Sequence, residues 1–440
     1  VRVRIFFGLL LMFLAFWKGN GGYLDLREYL DDAERMWIKA DLRLPGEPGA
    51  PPQYNRYSLG LPFLSGPFVW LGEIVERVTS GAISRRAVSA LIVPVLSALA
   101  GVLLFDIVSM LNFSRRIAYC SSLVFCLGST HLTYARFFYA DAGIVFGVML
   151  AFWSFLKGSQ HLSEPKWLVL SGAGLAIAGA CHYPHAPLVA CVWFVLVGDI
   201  MFNAAPLSLR FRNAIMFGSA PALAALALVL VNVSRYHSLV PTGYHNDVSA
   251  NISPRYIVGN LHHVAAMFAR TLWFLPALVF GCVRLWRTSR LNRFIAAAML
   301  AGVCAQMLFW LCFYQLNMFP IRYLYPMSAL AALGLPFVLT ALDTHFPGRG
   351  VVYFMIVALV SNALQFVGDT IFQPLFSAPE GKGSGVWFYT WYMNPLATTS
   401  TFDGGSPGGA LQFVTVAALL IAGTGLLVNA FVIARKDSSG

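Results

Sequence analysis

Repeated apolar runs of bilayer-crossing length leave this chain few ways to fold. About twelve such runs are separated by short polar stretches, over 3–17, 87–111, 117–133, 141–156, 167–183, 186–203, 214–233, 264–283, 294–313, 324–342, 351–369 and 410–434. A helix crosses the hydrocarbon core in roughly 20 residues. In lipid every backbone N–H and C=O must be satisfied internally, so runs of this kind become helices. The fold expected is therefore an all-α polytopic membrane protein, one transmembrane domain over 1–440 with no separate soluble domain. Composition agrees: 58% of residues are hydrophobic and 11% charged, with mean hydropathy +0.68. Soluble chains carry about 25% charge. The net charge of +11 reads as topology and contact with anionic lipid heads rather than nucleic-acid binding. The seven cysteines show no CxxC spacing, so neither a zinc site nor a disulfide framework is indicated. Ile5 to Trp17 follows two arginines without a small-residue cleavage site and reads as an uncleaved first span.

With twelve spans, the arginines and lysines at 2–4, 115–116, 157–166, 210–212, 284–293, 349 and 435–436 all fall on one face. The positive-inside rule makes that face cytoplasmic, with both termini on it. The opposite face carries a long first loop, about 18–86, and a last loop over 370–409, and it holds fourteen of the nineteen carboxylates. Five of these lie in Asp25-Leu26-Arg27-Glu28-Tyr29-Leu30-Asp31-Asp32-Ala33-Glu34. Leu26, Tyr29, Leu30, Ala33, Met36 and Trp37 recur at helical spacing. That predicts an amphipathic helix over 25–37, lying on the membrane interface with its apolar face down. Asp25, Glu28, Asp31, Asp32 and Arg35 fall on the other arc, and Asp31 and Asp32 read as a solvated face. Pro62 to Ile74 reads as a second interfacial segment, too short to span.

Polar groups at the ends of spans on this outer face are the candidates for chemistry. Asp25 suits a general base taking a proton from an acceptor hydroxyl. With Glu28 three residues on, it equally resembles a capping box. Asp141, at the mouth of the fourth span, suits an orienting group or a metal ligand, and equally an N-cap. Arg136 and Arg322 suit phosphate, since the guanidinium fork donates two parallel hydrogen bonds; each also reads as an arginine snorkelling to the interface. His182 and His185 have a spacing that a metal could use, but no third ligand is visible, and donation to a phosphate or to backbone fits better.

These pieces together resemble the GT-C class of multi-spanning glycosyltransferases that use polyprenyl-phosphate-linked sugars. The nearest kin are bacterial relatives of the protein mannosyltransferases and of the lipid A aminoarabinose transferase. The resemblance rests on three patterns. The acidic stretch after the first span leads into Tyr57-Ser58-Leu59-Gly60-Leu61-Pro62. Tyr134-Ala135-Arg136 precedes the acid Asp141. Pro241-Thr242-Gly243-Tyr244 and Arg322-Tyr323-Leu324-Tyr325-Pro326 follow later spans. Two departures stand out: Leu26 follows Asp25 where relatives commonly carry a second acid, and His182 stands where many carry Arg.

The resemblance implies a GT-C-like fold of about twelve transmembrane helices, with an interfacial helix in the first outer loop. It implies an inverting transferase in a bacterial inner membrane, working at the extracytoplasmic face on a lipid, glycan or protein acceptor. Asp25 would be the base, with Glu28 and Asp32 as substitutes for it, and Asp141, Glu28 and Asp32 would orient acceptor or metal. Arg322, Arg136, His182 and Tyr323 would hold the donor phosphate. The resemblance fixes no cofactor; a divalent cation, if used, would fall to Asp25 and Asp141. The rival readings are a twelve-span secondary transporter and a lipid carrier without chemistry. Transport would place charges at mid-bilayer and broken helices in matching halves.

Overall fold

The computed structural model describes residues 1–17, 24–44, 54–55, 58–135, 138–160, 164–237, 252–313, 320–367 and 409–436. Among the described residues the apolar windows are mostly helical, with breaks inside windows 117–133 at Gly128-Ser129 and 264–283 at Thr271–Trp273. In chain order the helices are α1 (Arg2–Ala15), α2 (Leu24–Glu34), α3 (Gly60–Leu64), α4 (Gly66–Val78), α5 (Arg85–Ala90) and α6 (Ile92–Met110). Then come α7 (Arg115–Leu127), α8 (Thr130–Tyr134), α9 (Asp141–Gln160), α10 (Lys166–Cys181), α11 (Ala186–Phe202) and α12 (Leu207–Tyr236). The remainder are α13 (Ile257–Arg270), α14 (Phe274–Trp286), α15 (Arg290–Leu311), α16 (Pro320–Ala332), α17 (Leu335–His345), α18 (Gly350–Val367) and α19 (Gly409–Lys436). Six helices among the described residues are long and apolar enough to cross a membrane, and α16 with α17, bent by 54°, would make a seventh. The chain is an integral membrane protein.

The spans pack closely where the sequence supplies small residues, as helices in lipid do when dispersion rather than hydrophobic exclusion holds them. At the α9–α10 crossing, a Cβ on Gly147 would sit 2.5 Å from the Gly174 carbonyl oxygen, and one on Gly174 would sit 2.6 Å from that of Gly147. That crossing anchors Asp141 at the start of α9 to His182 just past the end of α10. By contrast α12 turns Ile215, Leu223 and Leu230 outward, each more than half exposed, as a lipid-facing helix should.

Ion pairs sort the loops into two faces. Arg2 bonds Asp106 at 2.6 Å, Arg116 approaches Asp343 at 3.5 Å, and Arg290 approaches Asp199 at 3.4 Å. These pairs gather arginine-rich loops that the alternation assigns to one side. The other face joins the first loop to the ends of α10 and α12, and α8 to α16.

The first loop departs from expectation. α2 ends at Glu34 and continues as a π-turn over Arg35–Lys39. Its apolar residues Tyr29, Leu30 and Ala33 are fully buried, and Tyr29 and Leu30 belong to the protein core. They face protein, not lipid. The acids expected on a solvated face are not solvated either: Asp32 is fully buried, and Asp31 pairs with Arg86. Arg86 also binds Glu34 at 3.1 Å. Such a stretch reads as polar only until its partners, 23 to 203 residues away, are known. The second segment behaves more as expected, because Phe63, Trp70, Ile74 and Val78 of α3 and α4 remain largely exposed.

Candidate active site

Asp25 is the second residue of α2, one position inside the helix rather than at its cap; its side chain lies outside the described residues, as do those of Arg322 and Tyr323. Arg136, Tyr57 and Pro241-Thr242-Gly243-Tyr244 lie wholly outside them. Helical register still relates the acids. Positions 25, 28 and 32 stand at i, i+3 and i+7, on one face of α2. On that face Asp32 is buried and Glu28 half-buried.

The partners of Asp32 come from far along the chain. Asn55 donates to its Oδ1 at 2.9 Å and to the Glu28 carbonyl at 3.1 Å. Arg235, near the last turn of α12, lies 3.9 Å from Asp32 and donates to the Asn55 carbonyl at 2.6 Å. The Tyr236 hydroxyl donates to the same carbonyl. The Arg235 guanidinium lies over the rings of Tyr54 and Tyr236, at 5.5 and 5.2 Å. Burial pushes the Asp32 carboxyl up to about 7, against the opposing pull of Arg235 and Asn55. At 3.9 Å the pair sits at the limit of an ion pair, so attraction does not recover the desolvation cost.

The sign of the resulting pH dependence is fixed. The folded state holds the Asp32 proton more tightly than the unfolded chain, whose carboxyl titrates near 3.8. This group therefore favours the fold most below about pH 4, loses that contribution between about pH 4 and 7, and is flat above. Asp32→Asn should abolish this slope, amounting to a few kcal/mol, in unfolding midpoints measured across that range. An unchanged slope would assign it to another group.

A second group gathers at Asp141, the first residue of α9, where the helix dipole favours a carboxylate. It is fully buried, with His185 Nε2 at 3.7 Å from its Oδ1. His182 precedes and His185 ends a one-turn 3-10 helix (Tyr183–His185), their rings 5.3 Å apart. Gln306 of α15 fixes that turn: its amide donates to the Pro184 carbonyl at 3.0 Å, and its carbonyl accepts from the Leu188 N–H at 3.3 Å. Asp141 is also within electrostatic reach of Tyr325 on α16. The Tyr325 hydroxyl bonds His131 Nδ1 at 2.7 Å, and His131 Nε2 meets the Ser97 carbonyl at 3.1 Å. A carbonyl only accepts, so Nε2 carries the proton and Tyr325 donates to Nδ1. This contact holds the helix that begins at Pro320 and carries Arg322 and Tyr323.

The two groups are joined. Tyr183, between His182 and His185, lies within electrostatic reach of Asn232 and Arg235. Its N–H donates to Ser58 Oγ at 3.2 Å. Here the Tyr-Ser-x-Gly-x-Pro run finds its physical meaning. A Cβ on Gly60 would lie 2.4 Å from the Ala180 carbonyl carbon, so only glycine lets the first loop reach α10. The Pro62 carbonyl then accepts from Trp37 Nε1 at 3.0 Å and from the Ser65 hydroxyl at 2.8 Å. A continuous polar seam thus runs from α2 through Arg235 and Tyr183 to Asp141 and Tyr325.

Of the expected site residues, the structure brings Asp32, Glu28, His182 and Asp141 onto this seam. Sequence reading missed Arg235, Asn55, His131 and Gln306. Arg235 carried a usable signal: like Arg136 and Arg322, it is an arginine that the sequence reading places at a span end on the face opposite the arginine-rich loops. No three His, Cys, Asp or Glu side chains among the described residues converge as a metal site, and the side chain of Asp25 lies outside that set. All seven cysteines are free thiols.

Comparison with known proteins adds to this geometry. Residues 67–243 match the family model described as dolichyl-phosphate-mannose-protein mannosyltransferase. That range includes Asp141, His182, His185 and Arg235 but not Asp25. No curated protein sequence matches the chain. The crystal structure of ArnT from Cupriavidus metallidurans bound to undecaprenyl phosphate superposes with TM-score 0.57 at 12% identity, covering 100% of this chain and 77% of that one. The Archaeoglobus fulgidus oligosaccharyltransferase, solved with zinc and sulfate, gives TM-score 0.48 at 12% identity over 92% of this chain and 59% of that one. The likeness to ArnT shows the expected GT-C fold.

Proposed function

We propose that this GT-C-fold membrane protein is a glycosyltransferase. It moves a sugar from a polyprenyl-phosphate-linked donor to a lipid, glycan or protein acceptor at the face opposite its arginine-rich loops. By the positive-inside rule that face is extracytoplasmic, in a bacterial plasma membrane with both termini inside. The observation that carries the reading is the polar seam: acids of α2, Arg235, His182, Asp141 and the helix of Arg322 all meet on one face. The mannosyltransferase-like match over 67–243 and the undecaprenyl phosphate bound by ArnT support a polyprenyl-phosphate donor.

In this reading Asp25 takes the acceptor hydroxyl proton as the oxygen attacks the anomeric carbon from the side opposite the phosphate. The bond from that carbon to the phosphate oxygen breaks, the configuration inverts, and polyprenyl phosphate leaves with the electron pair. Arg322, Tyr323, Arg136 and His182 stabilise the phosphate as its charge grows. Asp32 is too enclosed to serve as the base; with Asn55 and Arg235 it seats α2. Asp141 orients the His182–His185 turn through His185.

Transport accounts for less. Among the described residues the buried Asp, Glu and Arg side chains lie at or near helix ends or on α2, not at mid-span. The decisive experiment is mass spectrometry of envelope glycans and lipids with and without the gene, paired with turnover of a labelled polyprenyl-phosphate sugar by the purified protein. Loss of one sugar substituent and release of polyprenyl phosphate are expected. An unaltered envelope together with an unconsumed donor overturns the reading.

A further inference from the structure

A groove of about 540 Å³ runs between α1, α7, α18 and α19, away from the seam residues. Its walls are apolar, with Met12, Tyr119, Leu123, Met355 and Leu427 among them. Val352, Ile356 and Val428 line it and remain 41%, 51% and 57% exposed, so it opens sideways to the bilayer. Along α18 it extends from Val351 to Ala363, roughly 18 Å at the helical rise. One leaflet of hydrocarbon is about 15 Å deep.

One charged side chain lines this groove, and it sits at the end belonging to the arginine-rich face. Arg116 is the second residue of α7, beside Arg115. Its charge is incompletely met: Asp343 is 3.5 Å from one terminal nitrogen, and the Gly348 carbonyl is 3.4 Å from the other. Its Nε is buried with no hydrogen-bond partner among the described residues. The Tyr119 hydroxyl is already committed to the Leu427 carbonyl at 2.6 Å.

We propose that this groove is a binding site for an anionic glycerophospholipid of the leaflet at the arginine-rich face. One acyl chain fills the apolar length and the phosphate meets Arg116. A donor's isoprenoid chain fits less well, because its phosphate belongs at the opposite face. The site would tie α1 to α18 and α19, which close the bundle.

The full chain, purified in mild detergent, tests this by native mass spectrometry and by thermal unfolding with added dioleoylphosphatidylglycerol or dioleoylphosphatidylcholine. One retained anionic glycerophospholipid is expected, with a larger rise in unfolding temperature for phosphatidylglycerol than for phosphatidylcholine. Arg116→Gln should lower retention about fivefold, the worth of one arginine beside an anionic lipid. Met355→Trp, which fills the groove while leaving Arg116 in place, should remove the lipid. The wild-type titration stands even if either variant misfolds. Equal shifts with both lipids, wild-type retention by both folded variants, or a polyprenyl phosphate in the lipid's place overturns the assignment.

Discussion

Asp25→Asn should lower sugar transfer by about 10²–10⁴-fold, the usual worth of a positioned general base. Asparagine keeps the size and the helical position but cannot take the acceptor proton. In the proposed mechanism other groups hold the donor phosphate, so donor KM should change little while kcat falls. Asp32→Asn is the informative comparison. It sits on the same face of α2, yet its carboxylate is enclosed by Asn55 and Arg235, so it should keep most turnover while losing its share of the pH-dependent stability. Near-wild-type kcat in Asp25→Asn, measured with a purified polyprenyl-phosphate sugar, would remove Asp25 from the mechanism. The reverse pattern, with Asp32→Asn the inactive variant, would move the base two turns along the helix.

Gly60→Val should be the most damaging single change in the first loop. Its Cβ would lie 2.4 Å from the Ala180 carbonyl carbon and 2.5 Å from both the Ala180 oxygen and the Cys181 nitrogen. All three atoms are backbone at the end of α10, so no rotamer change relieves the contact. Overpacking against movable side chains costs about 1–3 kcal/mol; against fixed backbone the cost should exceed that range. The loop would lift, carrying Ser58 away from the Tyr183 N–H and Pro62 away from Trp37. Thermal unfolding should shift down markedly, and turnover should fall even in the folded fraction, because α2 loses its seat. Gly60→Ala, with the same Cβ and less bulk, should fall between wild type and Val. A Val variant with native stability and activity would show that the loop does not dock here.

Much of the architecture was legible in the chain because lipid imposes a simple rule. Backbone polar groups in hydrocarbon must bond locally, so an apolar run such as 214–233 becomes helix whatever surrounds it. The same rule made loop charges readable: the arginines at 2–4, 115–116, 210–212 and 284–293 alternate with spans, and the ion pairs Arg2–Asp106 and Arg290–Asp199 lie where that alternation requires. The positions of Asp141 and His182 near span ends marked them as candidates on the same ground.

The acidic stretch shows where such reading stops. Periodicity predicted a helix over 25–37, where the structure has α2 over Leu24–Glu34 and a π-turn after it, and it grouped Tyr29, Leu30 and Ala33 on one stripe. It could not say that the stripe meets protein rather than lipid, nor that Asp31 and Glu34 meet Arg86, nor that Asp32 meets Asn55 and Arg235. A hydrophobic period records only that a face avoids water; lipid and a protein core avoid it equally. Charge records only that a side chain needs a partner, and the partner's address is set by packing across the chain.

What the sequence by itself determined is the helical membrane fold, the division into two faces and the candidate acids, because each follows from local interactions with lipid and water. What only the tertiary structure decided is which acids are enclosed and which groups share the seam. Those outcomes depend on close approaches such as Gly60 to Ala180 and on a buried arginine 203 residues from the acid it faces, and no local property of the chain encodes them.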